Sequence, residues 1–221
     1  MGRLFTLSTL LLICSFSAAN AHPHVFIEMT SAVVFNAEGK LKAINVKWVF
    51  DANYSEFATA DLDVNKDGVL TPEELHPLAK DNIDSLKEWS YFVYGRLNGE
   101  KIKWADVTDY GQIMGKDGRL EMQFVVPFAT PIDPRTSKFL YRIYDPTFYI
   151  AIDFVGKHPV SVIGNKPPSC RVEVGPVPDP SQTADTKSML ASKGTDWAPD
   201  GGEDFGIMFA QPISVQCEGA K

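Results

Sequence analysis

The chain has 221 residues, of which 44% are hydrophobic and 22% charged, and its formal net charge at pH 7 is -7. A chain of this length and composition can bury a core as a single folded domain. The negative charge argues against binding to nucleic acid or to an anionic membrane surface, and it is compatible with cation binding.

The first 21 residues have the pattern of a secretory signal peptide. Arg3 supplies a positive charge, an apolar run follows over 4–16, and small residues at Ala19 and Ala21 precede a cleavage point. The apolar run is too short to span a bilayer, and no later stretch resembles a transmembrane helix. We therefore expect an exported mature protein that begins at His22 and has no stable membrane insertion.

The mature chain, 22–221, alternates between short strand patterns and turn residues. Strands are predicted over 25–35, 41–50, 91–97, 101–110, 112–114, 119–126, 138–144, 148–154, 160–163, 170–174, 206–209 and 213–217. Asn98-Gly99 is the strongest hairpin signal among their connections. The pattern predicts a mainly β (α+β) fold, an antiparallel β-sandwich-like domain with one helical insertion over 54–88.

The segment 175–204 differs from the rest of the chain. It is rich in Pro, Asp, Ser, Thr and Gly and has no clear period. This composition predicts a long surface loop or a mobile linker, with a short helical turn at Met189 and Leu190.

The helical insertion contains a twelve-residue acidic loop, 63–74, between a helix predicted over 54–62 and one that begins at Pro72. Oxygen-bearing residues occupy loop positions 1, 3, 5, 9 and 12, glycine occupies position 6, and position 7 would contribute its carbonyl. This is the pattern of an EF-hand calcium loop, and the alternative is an acidic turn that only resembles one. An EF-hand without a paired partner favours a structural Ca²⁺ site. The predicted ligands are Asp63, Asn65, Asp67, Val69, Thr71 and Glu74.

Two cysteines remain after the signal peptide, Cys170 and Cys217. In an oxidising compartment an isolated pair is most simply a disulfide, here between the last strand and an earlier one. The alternative, two soft metal ligands, lacks the Cys-x-x-Cys spacing that would support it.

The new N-terminus suggests a second metal site. The α-amine, the imidazole of His22 and the imidazole of His24 are three nitrogen donors close together, and imidazole suits Zn²⁺, Cu²⁺, Ni²⁺ and Co²⁺. Asp51 and Asp145, at predicted strand ends, are candidates for the remaining ligands. The alternatives are a solvated terminus, a helix cap at Asp51 and a turn at Asp145-Pro146.

Five segments together resemble a bacterial periplasmic family that is classed as a domain of unknown function and often described as a periplasmic component of an ABC-type transport system. They are His22-Pro23-His24-Val25, Trp48-Val49-Phe50-Asp51, the acidic loop 63–74, Tyr144-Asp145-Pro146-Thr147-Phe148-Tyr149 and the closing strand that ends in Cys217. Members tend to be encoded beside nickel/cobalt-type exporters or zinc-regulated transport genes. The resemblance therefore implies a periplasmic location and divalent-metal handling, with His22, His24, Asp51 and Asp145 as ligands. The chain lacks the long His-rich loop of many periplasmic zinc-capture proteins.

The favoured interpretation is a periplasmic binding protein, not an enzyme. It would hold Zn²⁺ or another divalent transition metal near its N-terminus and Ca²⁺ in the acidic loop, and would serve a membrane metal transporter. The alternatives are a calcium-dependent adhesion or scaffold module, and a copper redox enzyme that uses the N-terminal histidine.

Overall fold

The computed structural model describes residues 23–194, 197 and 203–218. The predicted signal peptide and His22 lie outside these residues. The first part of the chain holds β1 (Val25–Phe35), β2 (Leu41–Phe50), α1 (Ala52–Thr59), α2 (Pro72–Lys87), β3 (Val93–Leu97), β4 (Glu100–Lys101), β5 (Tyr110–Met114) and β6 (Leu120–Ile132). The second part holds β7 (Phe139–Ile143), β8 (Ile150–Phe154), β9 (Val160–Ile163), β10 (Cys170–Val174), α3 (Pro180–Ala191) and β11 (Ile213–Cys217). Short 3-10 helices lie at Ser90–Phe92 and Gly206–Met208.

The strands form two sheets. The first has the order β5-β6-β2-β1-β8, with β9 also paired to β1, and the second has the order β10-β11-β7-β3-β4. Most pairs are antiparallel, but β8 and β9 run parallel to β1 and lie end to end along it. The 11 residues of β1 are enough for two short partners in succession. The sequence predicted the strands but not this parallel pairing.

One hydrophobic core lies between the two sheets. Along β1, β2 and β6 the buried residues alternate with exposed or half-buried ones, as expected for strands with one covered face. The hydroxyls of Ser31 and Tyr141, one from each sheet and both buried, lie 3.0 Å apart. The prediction of a mainly β, α+β fold is therefore confirmed.

The hairpin predictions are largely confirmed. The β1–β2 and β5–β6 hairpins form, and the β3–β4 connection uses Asn98 and Gly99 with φ of 51° and 93°. The strand predicted over 101–110 is wrong for most of its length, because after Lys101 only Trp104 makes an isolated bridge before β5 begins.

The strand predicted over 206–209 is also wrong, since this segment is a 3-10 helix. Packing explains the difference. A Cβ atom on Gly206 would lie 1.9 Å from the carbonyl oxygen of Asp145, so the backbones touch there without sheet pairing. Phe209 stacks on Phe148 with ring centroids 4.0 Å apart, which fixes the turn against the segment that precedes β8.

The long loop predicted over 175–204 contains a helix, α3, and that part of the prediction is wrong. Asp179 caps the helix by accepting a hydrogen bond from the Ser181 amide at 2.8 Å, and Pro180 occupies the first turn, where its missing N–H costs nothing. Leu190 is fully buried and anchors the last turn. Because α3 is stabilised by its cap and has few buried residues, its sequence shows little helical periodicity of hydrophobic residues.

The predicted disulfide is confirmed, because Cys170 and Cys217 face each other in the β10–β11 register and are bonded. This excludes the alternative of two soft metal ligands and agrees with an exported protein. Across the described ranges, no helix has the length and apolar character needed to cross a membrane.

Candidate metal centres

The acidic loop lies between two helices that are both anchored to the fold. Asp51 caps α1, its Oδ1 accepting from the Tyr54 amide at 2.9 Å. Inside α1 the buried Ser55 hydroxyl donates to the Asp51 carbonyl at 2.7 Å and accepts from the Leu120 amide of β6 at 2.9 Å. The following helix, α2, packs against β5 through its buried face. The ends of the loop are therefore fixed by the core.

The first half of the acidic loop folds around its own side-chain oxygens. Asp63 accepts hydrogen bonds from the amides of Asp67 at 3.2 Å and Gly68 at 2.8 Å. Asn65 Oδ1 accepts from the Asp67 amide at 2.9 Å, and Asp67 Oδ1 accepts from the Val69 amide at 2.8 Å. Gly68 has a φ of 80°, a conformation that suits glycine and makes the reversal possible.

The second half of the acidic loop closes through Glu74. Its Oε1 accepts from the Val64 amide at 3.2 Å, and its Oε2 accepts from the Thr71 amide at 3.0 Å. The Thr71 hydroxyl in turn accepts from the Glu74 amide at 3.3 Å, which completes a capping box at the start of α2. Hydrogen bonds from Thr71, first its amide, hold the pKa of Glu74 below its ordinary value.

This geometry brings loop position 12 back to position 2, as a closed loop requires. A carboxylate offers about four lone pairs, so oxygens that already accept from amides keep capacity for a cation. Across residues 23–194, 197 and 203–218, however, no group of three or more His, Cys, Asp or Glu side chains is arranged to hold a metal ion. The calcium site therefore stays a prediction from the loop pattern.

The predicted ligands of the second site lie at one end of the first sheet. His24 directly precedes β1, its amide donates to the Tyr149 carbonyl at 2.8 Å, and its ring centroid lies 4.6 Å from that of Tyr149. Asp51 follows β2, and its Oδ2 accepts from the Phe26 amide at 2.9 Å. Because β1 is flanked by β2 and β8, these residues come from neighbouring strands.

Asp145 belongs to the same end of the sheet but is turned to its own backbone. It is only 4% exposed, and it accepts from the amides of Thr147 and Ile150, both at 2.9 Å, and from the Thr147 hydroxyl at 2.8 Å. Asp51 thus accepts an amide as the cap of α1, and Asp145 accepts amides within a turn. These are the two alternatives to metal binding that the sequence left open. His22 lies outside the described residues, so the predicted four-residue site is not tested as a whole.

A groove of about 930 Å³ runs beside this end of the sheet, between β8 and α3. Pro23, Phe26 and Asp145 are part of its lining. Of the predicted ligands of the second site in the described residues, Asp145 lines this groove, whereas His24 and Asp51 do not.

A group of basic residues on the outer face of the second sheet is not singled out by any sequence motif. Arg96 and Lys101 flank the Asn98-Gly99 turn, and Lys138 and Arg142 belong to the β7 segment. They could have been found only with knowledge of the strand pairing, as basic residues at alternate positions of paired strands.

Comparison with known proteins gives two matches. The family model described as "Protein of unknown function (DUF1007)" matches residues 7–217. A relative from Haemophilus influenzae, described as "Uncharacterized protein", is 29% identical over 201 residues, which cover 90% of this chain and 92% of the relative. The matched span includes both sheets and both candidate metal centres.

Proposed function

The chain belongs to the DUF1007 family of proteins of unknown function, and we propose that it is an exported periplasmic protein that binds divalent metal ions. Calcium occupies the acidic loop in this proposal, and the closure of that loop by Glu74 is the observation that supports it best. Loop position 12 reaches the amide of position 2, at 3.2 Å, between two helices that are anchored to the core.

Calcium binding uses the oxygens that now accept backbone amides. Asp63, Asn65 and Asp67 lie on alternate positions of the reversal, and each has a side-chain oxygen that accepts a loop amide and keeps a lone pair for a cation. Glu74 adds a bidentate carboxylate, while Val69 and Thr71 supply a carbonyl and a hydroxyl or a bound water. The ion stabilises the helix pair and does not take part in a reaction.

A transition metal occupies the second site in this proposal. His24 and Asp51 lie at the same sheet end as Asp145, and the mature N-terminus adds the amine and imidazole of His22. Zn²⁺, Ni²⁺ or Co²⁺ suits this mixture of nitrogen and oxygen donors. The protein then acts as an accessory that supplies or receives the ion at a membrane metal transporter, as a binding protein and not an enzyme.

The test of the calcium site is thermal and chemical unfolding of metal-free protein with and without Ca²⁺, on protein whose N-terminus is confirmed as His22. At a Ca²⁺ concentration of 100 Kd we expect the wild type to gain about 2.7 kcal/mol of unfolding free energy. Glu74→Gln should lose this gain, because the amide cannot supply a bidentate anion, although glutamine still serves in a capping box. Glu73→Gln removes a neighbouring exposed carboxylate that is not a loop ligand and should keep the gain.

The second site is tested by elemental analysis and Zn²⁺, Ni²⁺ and Co²⁺ titration of the same preparations. We expect a second ion that is lost in His24→Ala and kept in Glu74→Gln. If only Ca²⁺ binds, the transition-metal proposal fails and a calcium-dependent scaffold or adhesion module becomes the better account. If no Ca²⁺ binds to the wild type, the calcium proposal fails as well.

A further inference from the structure

The outer face of the second sheet carries four basic side chains in a protein whose net charge is -7. We call this group the basic face and define it as Arg96, Lys101, Lys138 and Arg142. On β3 and β7 the alternate residues, such as Val93 and Tyr141, are buried in the core. The basic side chains therefore project away from the core, on the side of the sheet opposite to it.

The register places these charges next to one another. Arg96 pairs directly with Lys101 across β3 and β4. On its other side Arg96 pairs with Leu140, so Lys138 and Arg142 both lie at diagonal positions. Like charges directly opposite each other destabilise a sheet, and diagonal neighbours are still within reach of long side chains. Arg96 is thus surrounded by three positive charges.

Ion pairs within the described residues do not neutralise this group. None of the four side chains forms a salt bridge with a carboxylate of the described residues. Arg96 donates instead to the neutral carbonyl of Gly99 at 2.8 Å. The Nε–H of Arg142 is buried and has no hydrogen-bond partner within the described part of the chain. Asp204 lines a neighbouring pocket together with Arg96, Lys101 and Arg142, and its carboxylate accepts the hydroxyl of Tyr144 at 2.7 Å.

A shallow cleft of about 510 Å³ lies over this face. Three of the basic residues line it, and its other polar side chains are neutral, so it contains no carboxylate. The polar lining consists of Arg96, Lys138, Arg142, Asn98, Ser214 and Gln216. A cleft with three cations, neutral amide and hydroxyl groups and no acid is suited to an anion.

We propose that the basic face is a binding site for a phosphate-bearing anion. The planar guanidinium forks of Arg96 and Arg142 match the oxygens of a phosphate, and Lys138 adds a point charge. A phosphate group carries up to two negative charges, which is more than one carboxylate offers to a cluster of this size. Its binding relieves the repulsion among the four cations and satisfies the buried donor of Arg142. The site is independent of the metal sites proposed above.

Titration of metal-free protein with inorganic phosphate, in the presence of EDTA and at constant ionic strength, tests the proposal. We expect saturable binding in the wild type that weakens by about tenfold or more in Arg96→Gln and in Arg142→Gln, because each variant loses a charge-assisted contact. Lys80→Gln, which removes one exposed charge from α2 and leaves the basic face intact, should bind phosphate as the wild type does.

Unfolding without phosphate separates a ligand site from a structural role. Lys101→Gln removes like-charge repulsion, and no side-chain hydrogen bond of Lys101 is seen among the described residues, so we expect the melting temperature of this variant without phosphate to equal or exceed that of the wild type. A lower melting temperature, together with unchanged phosphate binding, would overturn the proposal.

Vesicles distinguish the two sources of phosphate. Binding to phosphatidylglycerol vesicles but not to phosphatidylcholine vesicles, lost in Arg142→Gln, assigns the site to lipid headgroups, whereas binding of inorganic phosphate alone assigns it to a soluble molecule. Absence of both, an equal loss in Lys80→Gln, or saturable binding of citrate without binding of phosphate overturns the proposal.

Discussion

The acidic loop and the strand-end residues are both predicted metal sites, but their carboxylates have different surroundings. In the loop, Asp67 is exposed, Asp63 and Glu74 are half-buried, and all three accept amides of the same short segment. At the strand ends, Asp145 is buried and Asp51 binds an amide 25 residues away in the sequence. We therefore expect a cation to draw the loop carboxylates away from their amides at a lower cost than the strand-end carboxylates, which hold together the structure around them.

This difference means that metal binding by a strand-end carboxylate competes with the backbone contacts that the carboxylate already makes. A buried acid that accepts several amides gives up those bonds if it turns to a metal, and each abandoned donor costs free energy. An exposed acid in a loop exchanges amides for an ion without that loss. The strand-end group can therefore bind a metal only by keeping its backbone contacts and adding the ion to the remaining lone pairs.

The largest expected effect is that of Asp145→Ala. The change leaves the amides of Thr147 and Ile150 and one hydroxyl, all in a half-buried turn, without their acceptor. At 1–3 kcal/mol for each unsatisfied buried group, we expect a loss of about 3 kcal/mol in the free energy of unfolding, with or without metal. Urea unfolding of metal-free protein measures it.

Asp153→Ala is the matched control, because this carboxylate is exposed on the neighbouring strand β8 and should change stability by no more than about 0.5 kcal/mol. If Asp145→Ala matched this control in stability but abolished transition-metal binding, the main role of Asp145 would be that of a metal ligand. The contrast between a structural carboxylate at the strand end and a ligand carboxylate in the acidic loop would then be wrong.

A smaller effect is expected for Asp51→Ala. The change removes the cap of α1 and the bond from the Phe26 amide, which together should cost about 1–2 kcal/mol. Because α1 leads into the acidic loop, the same variant should also weaken calcium binding modestly. Unfolding and Ca²⁺ titration measure the two effects.

Glu56→Ala is the matched control, since this residue is exposed on the same helix and does not cap it. It tests whether any substitution in α1 lowers stability and calcium affinity. Equal loss of stability in the two variants would contradict the capping role. If Asp51→Ala kept its stability but lost zinc binding, Asp51 would act mainly as a metal ligand, as is proposed for the carboxylates of the acidic loop.

The sequence predicts those parts of the molecule that depend on neighbouring residues. The bounds of β1 and β2, the turn at Asn98-Gly99 and the helix-loop-helix around 63–74 all follow from local periods and turn chemistry. The parallel pairing of β8 and β9 with β1 does not, because it depends on contacts more than 100 residues apart.

The same limit applies to the sites. The twelve positions of the acidic loop are contiguous, so their spacing alone identifies them. The basic face is assembled by the register of β3, β4 and β7, and no spacing along the chain reveals that Arg142 lies diagonal to Arg96. The helix α3 was missed for a related reason, since it is held by a cap and one buried leucine and shows little hydrophobic period.

The smallest expected effect concerns the pH dependence of the metal-free loop. Hydrogen bonds from Thr71 lower the pKa of Glu74 in the folded state from its ordinary value of 4.5. A carboxyl group whose pKa is depressed by folding stabilises the protein fully above its unfolded pKa, and this contribution is lost as the pH falls through the folded pKa. We therefore expect the melting temperature of metal-free wild type to exceed that of Glu74→Gln by a constant amount near neutral pH, and the difference to shrink below about pH 4.5.

Glu73→Gln is the control for this comparison, because it removes one negative charge from the same helical turn, and its melting temperature shows the effect of that charge alone. A difference between wild type and Glu74→Gln that grows as the pH falls would have the wrong sign for a depressed pKa and would mean that the capping contacts do not favour the ionised form. Glu74 is only half-buried, which keeps this effect small, because solvent screens the contacts of its carboxylate. If Ca²⁺ binds as proposed, the Glu74 carboxylate has a weak structural role beside its role as a ligand, whereas the buried Asp145 has mainly a structural one.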